Sequence, residues 1–283
     1  MFYYLYSTYS TQFKPIMRNP DIAKGFQQVD HSETEFLIKF LEDVFNLPSV
    51  QEGFTQQLAL MDIRPGDHVL EVGCGIGDHA LAMAKLAGTA GRVVGTDLSQ
   101  AMVGVSRNRH GNCGLPLEFM VAPATEQPFP DQSFDCIHME RVLMYITDVD
   151  AVFREFRRLL KPGGRLLIYD MLWDALTFAH PDKELTRQII HYIADSFPSG
   201  RIGVELWHYF TDYGFKDMQM KNSGYIVPSI EFSRRVVEGI TRTGIPAVFT
   251  QEDVDGFWLW LEEDSRKGRF TSIFSGVMVV GVK

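Results

Sequence analysis

Glycines recur at every second position after an acid in the stretch VLEVGCGIGDHA (69–80): Glu71, Gly73, Gly75, Gly77. A turn of this kind lets the backbone pass close beneath a ligand. A side chain at Gly73 or Gly75 would occupy the ligand's space, and a positive φ is open to glycine. The spacing discriminates between ligands. A dinucleotide turn requires G-x-G-x-x-G, and Asp78 holds the place of the third glycine. A P-loop requires Lys followed by Ser or Thr after the glycines, and neither is there. A second acid, Asp97, closes the apolar run RVVGTDLS (92–99). A carboxylate at a strand end can accept two hydrogen bonds from ribose hydroxyls, so Asp97 supports an adenosine ligand without choosing among adenosine cofactors.

Two later segments could supply acid–base chemistry, HMERVLMYITD (138–148) and DMLWDALTFAH (170–180). Each follows an apolar run, and ligands of open α/β sheets sit outside the carboxyl ends of the strands. His138 is the best-placed histidine for a general base, against the alternative that it packs beneath the loop. Asp170 and Trp173 stand where an acceptor would enter, with Trp173 as an aromatic wall. The eight histidines form no H-x-x-x-H or H-E-x-x-H pair, so no metal site is expected. The absence of G-x-S-x-G removes the simplest hydrolase reading.

The elements that must position these residues follow from periodicity. Helical spacing marks EFLIKFLEDVF (35–45) and TQQLALM (55–61), separated by Pro48. Short β-rich runs then appear at His68–Val72, Arg92–Thr96, Leu117–Val121, Phe134–His138 and Arg165–Tyr169, with helical segments at 78–87, 99–108 and 149–160 between them. Nearly continuous apolar strands alternating with helices imply a parallel sheet covered on both faces. Beyond Asp170, helices are expected at 183–197, 202–213, 229–243 and 251–264, and strands at 215–225 and 276–283.

The four signals together resemble the class I S-adenosylmethionine-dependent methyltransferases. They are the glycine turn, Asp97, the proline-rich lead PFPDQSFDCI (128–137) and the Lys-Pro-Gly-Gly turn of KPGGRLLIYD (161–170), and they span roughly Arg64 to Asp170. The resemblance implies a doubly wound, seven-stranded, mostly parallel α/β sheet with helical lid additions. It implies S-adenosyl-L-methionine as cofactor, held by Glu71, Gly73, Gly75, Gly77, Asp97, Leu98, Met102, Pro123, Ala124, Thr125 and Glu140. Arg141, Asp170 and Trp173 would meet the acceptor, and His138 would be the base. One departure stands out: the family carries an Asp for the adenine amino group where VAPAT (121–125) places Pro123. Proline can neither accept through a side chain nor donate through nitrogen. Adenine is then left to backbone groups of Ala124 or Thr125, or to Gln127.

Late features also resemble methyltransferases of quinone biosynthesis and natural-product tailoring, whose N-terminal helices and insertion before the last strand form a lid. On that basis residues 1–62 form a helical lid segment and 63–283 the core, with helical insertions at about 171–213 and 228–268. Phe257, Trp258, Trp260 and Phe270 either line the pocket or pack helices. The expected reaction is methylation of a small apolar or aromatic acceptor, oxygen ranked ahead of carbon and nitrogen because of His138. A cyclisation or rearrangement with the cofactor bound but not consumed, and a non-catalytic binding module, are the alternatives.

Composition narrows the setting. A net charge of −9 disfavours long nucleic acid as a partner. Three cysteines without a CxxC pair fit a reducing, cytoplasmic compartment. The aromatic-rich first nine residues lack the pattern of a signal peptide and read as a mobile or docked end. No apolar run is long enough for an integral membrane segment. A homo-oligomer is compatible with all of this.

Overall fold

Alternate residues of each central strand enter two different cores, and this fixes the architecture. In a computed structural model, which describes residues 19–227, 229–243 and 249–283, Leu70, Val94, Ile137 and Ile168 pack on one face of the sheet. Their neighbours Val69, Val93, Cys136 and Leu167 pack on the other. Strands buried on both faces must be apolar throughout, which is why they read as unbroken runs. The aromatic N-terminal tip and the expected insertion's residues 228 and 244–248 lie outside the described residues.

The strands are β1 (His68–Val72), β2 (Arg92–Asp97), β3 (Leu117–Val121), β4 (Phe134–Glu140), β5 (Leu160–Met171), β6 (Thr177–Phe178), β7 (Lys216–Val227) and β8 (Ser272–Val282). Their order is β3-β2-β1-β4-β5-β8-β6, with β7 also paired to β8. The first five run parallel, and β8 is antiparallel to β5, β6 and β7. Seven strands carry the sheet; the eighth, β6, is a two-residue addition that periodicity could not reveal.

The crossover helices are α4 (Asp78–Ala87), α5 (Gln100–His110) and α6 (Val149–Leu159). Helix α6 buries Val149, Val152, Phe153, Phe156 and Leu159, the i, i+3, i+4, i+7 stripe of a helix lying on a sheet. Asp148 caps it by accepting the Ala151 N–H at 2.8 Å. Helices α7 (Lys183–Asp195) and α8 (Ile202–Asp212) occupy the first expected insertion. Helix α8 lies on the sheet rather than over a pocket: a Cβ on Gly203 would come within 2.6 Å of the Met171 carbonyl, and Phe210 packs against Gly281.

A roof is built from both ends of the chain. From the N-terminal side come α1 (Ile22–Gly25), α2 (Thr34–Phe45) and α3 (Pro48–Met61), with Pro48 opening α3 at a position where its missing N–H costs nothing. From the C-terminal side comes a helix in three parts: α9 (Ile230–Ser233), a π-turn (Arg234–Glu238) and α10 (Gly239–Arg242). Asn19 donates to Glu238 at 2.8 Å, Arg235 pairs with Asp43, and Gly239 lies so close to the Pro20 carbonyl that only glycine fits. Asp30 latches this roof to the sheet, accepting from the Ser99 hydroxyl and from the N–H groups of Gln100 and Ala101. The last helix, α11 (Gln251–Arg266), packs Phe257 against Phe178 and points the Trp258 indole at the Thr241 hydroxyl. Those aromatics, with Phe270 beside Phe178 and Trp260 beside His180, pack helices and stay off the cavity wall. No described helix is long and apolar enough to cross a membrane.

Candidate active site

A cavity of about 430 Å³ runs between the roof and the carboxyl edge of β1–β5. Strands β1 to β4 send post-strand residues into it: Gly73 and Gly75 after β1, Leu98 after β2, Ala122 to Thr125 after β3, Arg141 and Val142 after β4. The sheet thus gathers residues from 71 to 173 that no local pattern relates.

At one end lies the glycine turn. Gly73 and Gly75 have φ of +75° and +51°. The amides of Gly73 and Cys74 both donate to the Thr96 carbonyl, which ties the turn to β2. Asp97 accepts from the Gly75 N–H at 2.9 Å through one oxygen and from the Ser99 N–H at 2.9 Å through the other. Each oxygen keeps a second lone pair for a ribose hydroxyl. Burial raises the pKa of Asp97 and these N–H donors oppose the rise. Glu71 has one oxygen, Oε2, buried without a partner among the described residues. An orphaned carboxylate oxygen beside a glycine cradle suits a cationic amino group. The residues therefore fit S-adenosylmethionine: Glu71 for its amino-acid end, Gly73 and Gly75 beneath it, Asp97 for its ribose.

Of the other residues expected at the cofactor, Leu98, Met102, Pro123, Ala124, Thr125 and Glu140 border the cavity. The amides of Ala124 and Thr125 donate to no backbone carbonyl among the described residues, so they are available to a base edge beside Pro123. Gln127 is not. It is buried, its side-chain amide donates to the Pro123 carbonyl and its N–H to Glu155. Gly77 also departs from expectation. It is the N-cap of α4 with φ +86°, and a Cβ there would meet the Phe119 ring at 2.8 Å. Its role is close helix packing, away from the cavity wall.

His138 needs the clearest correction. It has no exposed surface and does not reach the cavity. Its Nε2 bonds to the Gln57 side-chain oxygen at 2.8 Å, and Nδ1 lies 3.8 Å from Glu71. A β-strand alternates its side chains, so Glu140 and His138 point to the same side, but only Glu140 is far enough along to meet the cavity. Replacing His138 by Gln should lower the unfolding midpoint, since Gln57 loses a buried partner at a cost of about 1–3 kcal/mol. The pH–rate profile should keep its shape once an acceptor is supplied. A lost acid limb would restore His138 as the base.

Asp170 is likewise fully buried, below the cavity rather than in it, accepting from the Met144 and Met171 amides at 3.3 and 2.8 Å. Trp173 and Arg141 do border the cavity. Trp173 stacks on Phe197 at 4.6 Å between centroids.

Sequence reasoning missed His79. It opens α4 one turn after the glycines, faces the cavity and stacks on Phe54 at 3.9 Å. Its Nδ1 lies 3.5 Å from Glu71 and 3.8 Å from Glu140. Burial alone would lower its pKa, but the charge of Glu140 and the bond to Glu71 leave it raised. Burial opposes ionisation of Glu71 and Glu140 too, yet His138 and His79 beside the first, and Arg141 and His79 beside the second, hold both pKa values down. The ligand atoms of Glu71, His79 and His138 lie within 4.8 Å of one another. By donor type this trio could hold a metal, a grouping invisible in the spacing of the histidines. The only sequence clue was a histidine at helical position next to Asp78.

A doubly wound sheet with β8 inserted antiparallel beside β5, a glycine turn after β1 and an acid at the end of β2 is the fold of the class I S-adenosylmethionine-dependent methyltransferases. Residues 70–168 match the family model of the methyltransferase domain. A protein of transposon TN4556 from Streptomyces fradiae, described as an uncharacterized 37.1 kDa protein, is 34% identical over 63% of this chain and 52% of its own length. The ubiquinone/menaquinone biosynthesis C-methyltransferase UbiE of Bordetella avium is 41% identical over 44% of this chain and 48% of its own. The chain thus spans about half the length of these curated relatives. Among solved structures, the [4+2]-cyclase SpnF superimposes with a TM-score of 0.58 at 18% identity, covering 95% of this chain and 98% of that one. Residues 70–168 of the chain thus carry a methyltransferase domain.

Proposed function

We propose that the protein methylates a small, apolar or aromatic acceptor enclosed beneath the roof. One observation carries this reading. The cavity joins a polar end, built from Glu71, Asp97 and the glycines, to an end walled by Phe26, Phe40, Tyr145, Trp173, Tyr225 and Phe274. Bound S-adenosylmethionine supplies a methyl group already activated by its sulfonium. The chain's own residues then have to position and desolvate. Glu71 and Asp97 fix the two ends of the cofactor, and the aromatic walls exclude water and orient a flat acceptor. His79 and Arg141 keep Glu71 and Glu140 ionised in a dry site.

With His138 closed off, the reason for ranking oxygen first as the acceptor atom disappears. Carbon is favoured instead, supported by the similarity to UbiE, a C-methyltransferase. The test is incubation with methyl-labelled S-adenosylmethionine and metabolite extracts, followed by mass spectrometry. The expected result is a labelled small molecule and matching S-adenosylhomocysteine. A transformed metabolite without label or S-adenosylhomocysteine would overturn methyl transfer in favour of cofactor-assisted rearrangement.

A further inference from the structure

We infer that Arg141, with the hydroxyls of Tyr145 and Tyr225, forms an oxyanion-binding site, so that the acceptor carries an acidic oxygen: a carboxylate, or a phenolate or enolate. The inference rests on the acceptor reading above and names its substrate class.

Arg141 is held in an unusual backbone state. Its φ is +56°, in the left-handed region, which costs a non-glycine residue roughly 1–2 kcal/mol. Its N–H donates to the Tyr169 carbonyl at 2.8 Å, locking the first residue after β4. In this state the side chain turns into the cavity, where about a fifth of it is exposed. One guanidinium nitrogen pairs with Glu140 at 2.9 Å. Glu140 is itself shared, since the Gln57 amide donates to its other oxygen at 2.9 Å. A guanidinium offers five N–H donors in a fork. Among the described residues, no hydrogen bond engages its other nitrogens.

Two phenol hydroxyls complete the arrangement. Tyr145 and Tyr225 border the same cavity as Arg141. Their rings are fixed, Tyr145 against Phe26 and Phe197, Tyr225 stacked on Phe274 at 6° between planes. Neither hydroxyl has a protein hydrogen-bond partner among the described residues. Burial raises both pKa values, so both remain donors. The nearby acids are engaged: Glu140 as described, Asp170 by backbone amides beneath the floor. One cation and two hydroxyl donors in an aromatic chamber complement an oxyanion attached to an apolar body.

The test measures binding by calorimetry, with 1-naphthoate, 4-nitrophenolate and the neutral 1-naphthamide as probes of the full chain. At least one anion should bind wild type about ten-fold or more tighter than the amide, the worth of one charge-assisted hydrogen bond. Which anion is preferred distinguishes a carboxylate acceptor from a phenolate or enolate one. In Arg141→Gln the preference should fall to within about two-fold while the amide binds as before. That substitution strands Glu140, so Tyr225→Phe, which removes no charge, is measured beside it and should lose part of the preference. Equal binding of anions and amide by wild type, or an unchanged preference in both variants, would overturn the site. An intact anion preference without methyl transfer to any acceptor would instead overturn the functional reading and leave the oxyanion site standing.

Discussion

Gly73→Ala is expected to weaken S-adenosylmethionine binding by about 100-fold or more while the chain still folds. Gly73 has φ +75°, and a Cβ there would come within 2.3 Å of a Val142 methyl. The methyl must move, and Val142 stands in the cavity wall where the cofactor and the acceptor segment meet. A left-handed alanine adds roughly 1–2 kcal/mol of backbone strain, short of the 5–15 kcal/mol that holds an ordinary domain together. Relief of that strain would move the Gly73 and Cys74 amides off the Thr96 carbonyl and carry Glu71's neighbours out of register. Gly77→Ala makes the contrast. It too has a positive φ, but its Cβ would strike the Phe119 ring outside the cavity, so it should lower the unfolding midpoint more than the affinity. Calorimetric titration with thermal unfolding of both variants checks the pair. Equal affinity in Gly73→Ala and wild type would remove the cradle from the cofactor site.

The second large effect concerns Asp170, whose pKa burial pushes up to about 7, against the opposing pull of the Met171, Met144 and Leu143 amides. The sign follows from proton uptake. Between about pH 4 and pH 7 the folded chain holds this proton and the unfolded chain does not, so stability falls as pH rises through that window. The full difference is on the order of 4 kcal/mol, present below about pH 4 and lost above pH 7. His79, whose pKa is raised by Glu140 and Glu71, contributes in the same direction. Wild type must therefore be compared with Asp170→Asn, which removes this titration and leaves the others, Asp97 among them. Denaturant unfolding at pH 5, 6, 7 and 8 should show a shallower decline in the variant. Parallel curves would mean that Asp170 is ionised throughout. A carboxyl that titrates under the floor of the cavity also explains why it serves poorly as an acceptor-binding residue.

What the sequence revealed divides by range. The strands and crossover helices were legible because each must bury apolar surface at its own period, and β1 and α4 fall at the same residues in sequence and structure. The cofactor end was legible because its constraints are local: glycines at fixed spacing, an acid at a strand end. The acceptor end was legible only in part: Arg141 and Trp173 were expected there and border the cavity, whereas Tyr145 and Tyr225 were not, since only the pairing of β7 with β8 brings Tyr225 over the loop after β4. His138 misled because position at a strand end does not tell depth; the packing of Gln57 from α3 seals it in. His79 was passed over for the converse reason, since its partners Glu71 and Glu140 converge on it only across β1 and β4. The aromatics of α11 carried no signal to separate a pocket wall from a helix contact.

Direct titration of S-adenosylmethionine into the full chain, in parallel with NAD, tests the central claim most plainly. The structure predicts saturable one-to-one binding of S-adenosylmethionine, competition by S-adenosylhomocysteine, no binding of NAD, and loss of the signal in Asp97→Ala, whose carboxylate holds the Gly75 turn. Binding of NAD with indifference to S-adenosylmethionine, or undiminished affinity in Asp97→Ala, would contradict it.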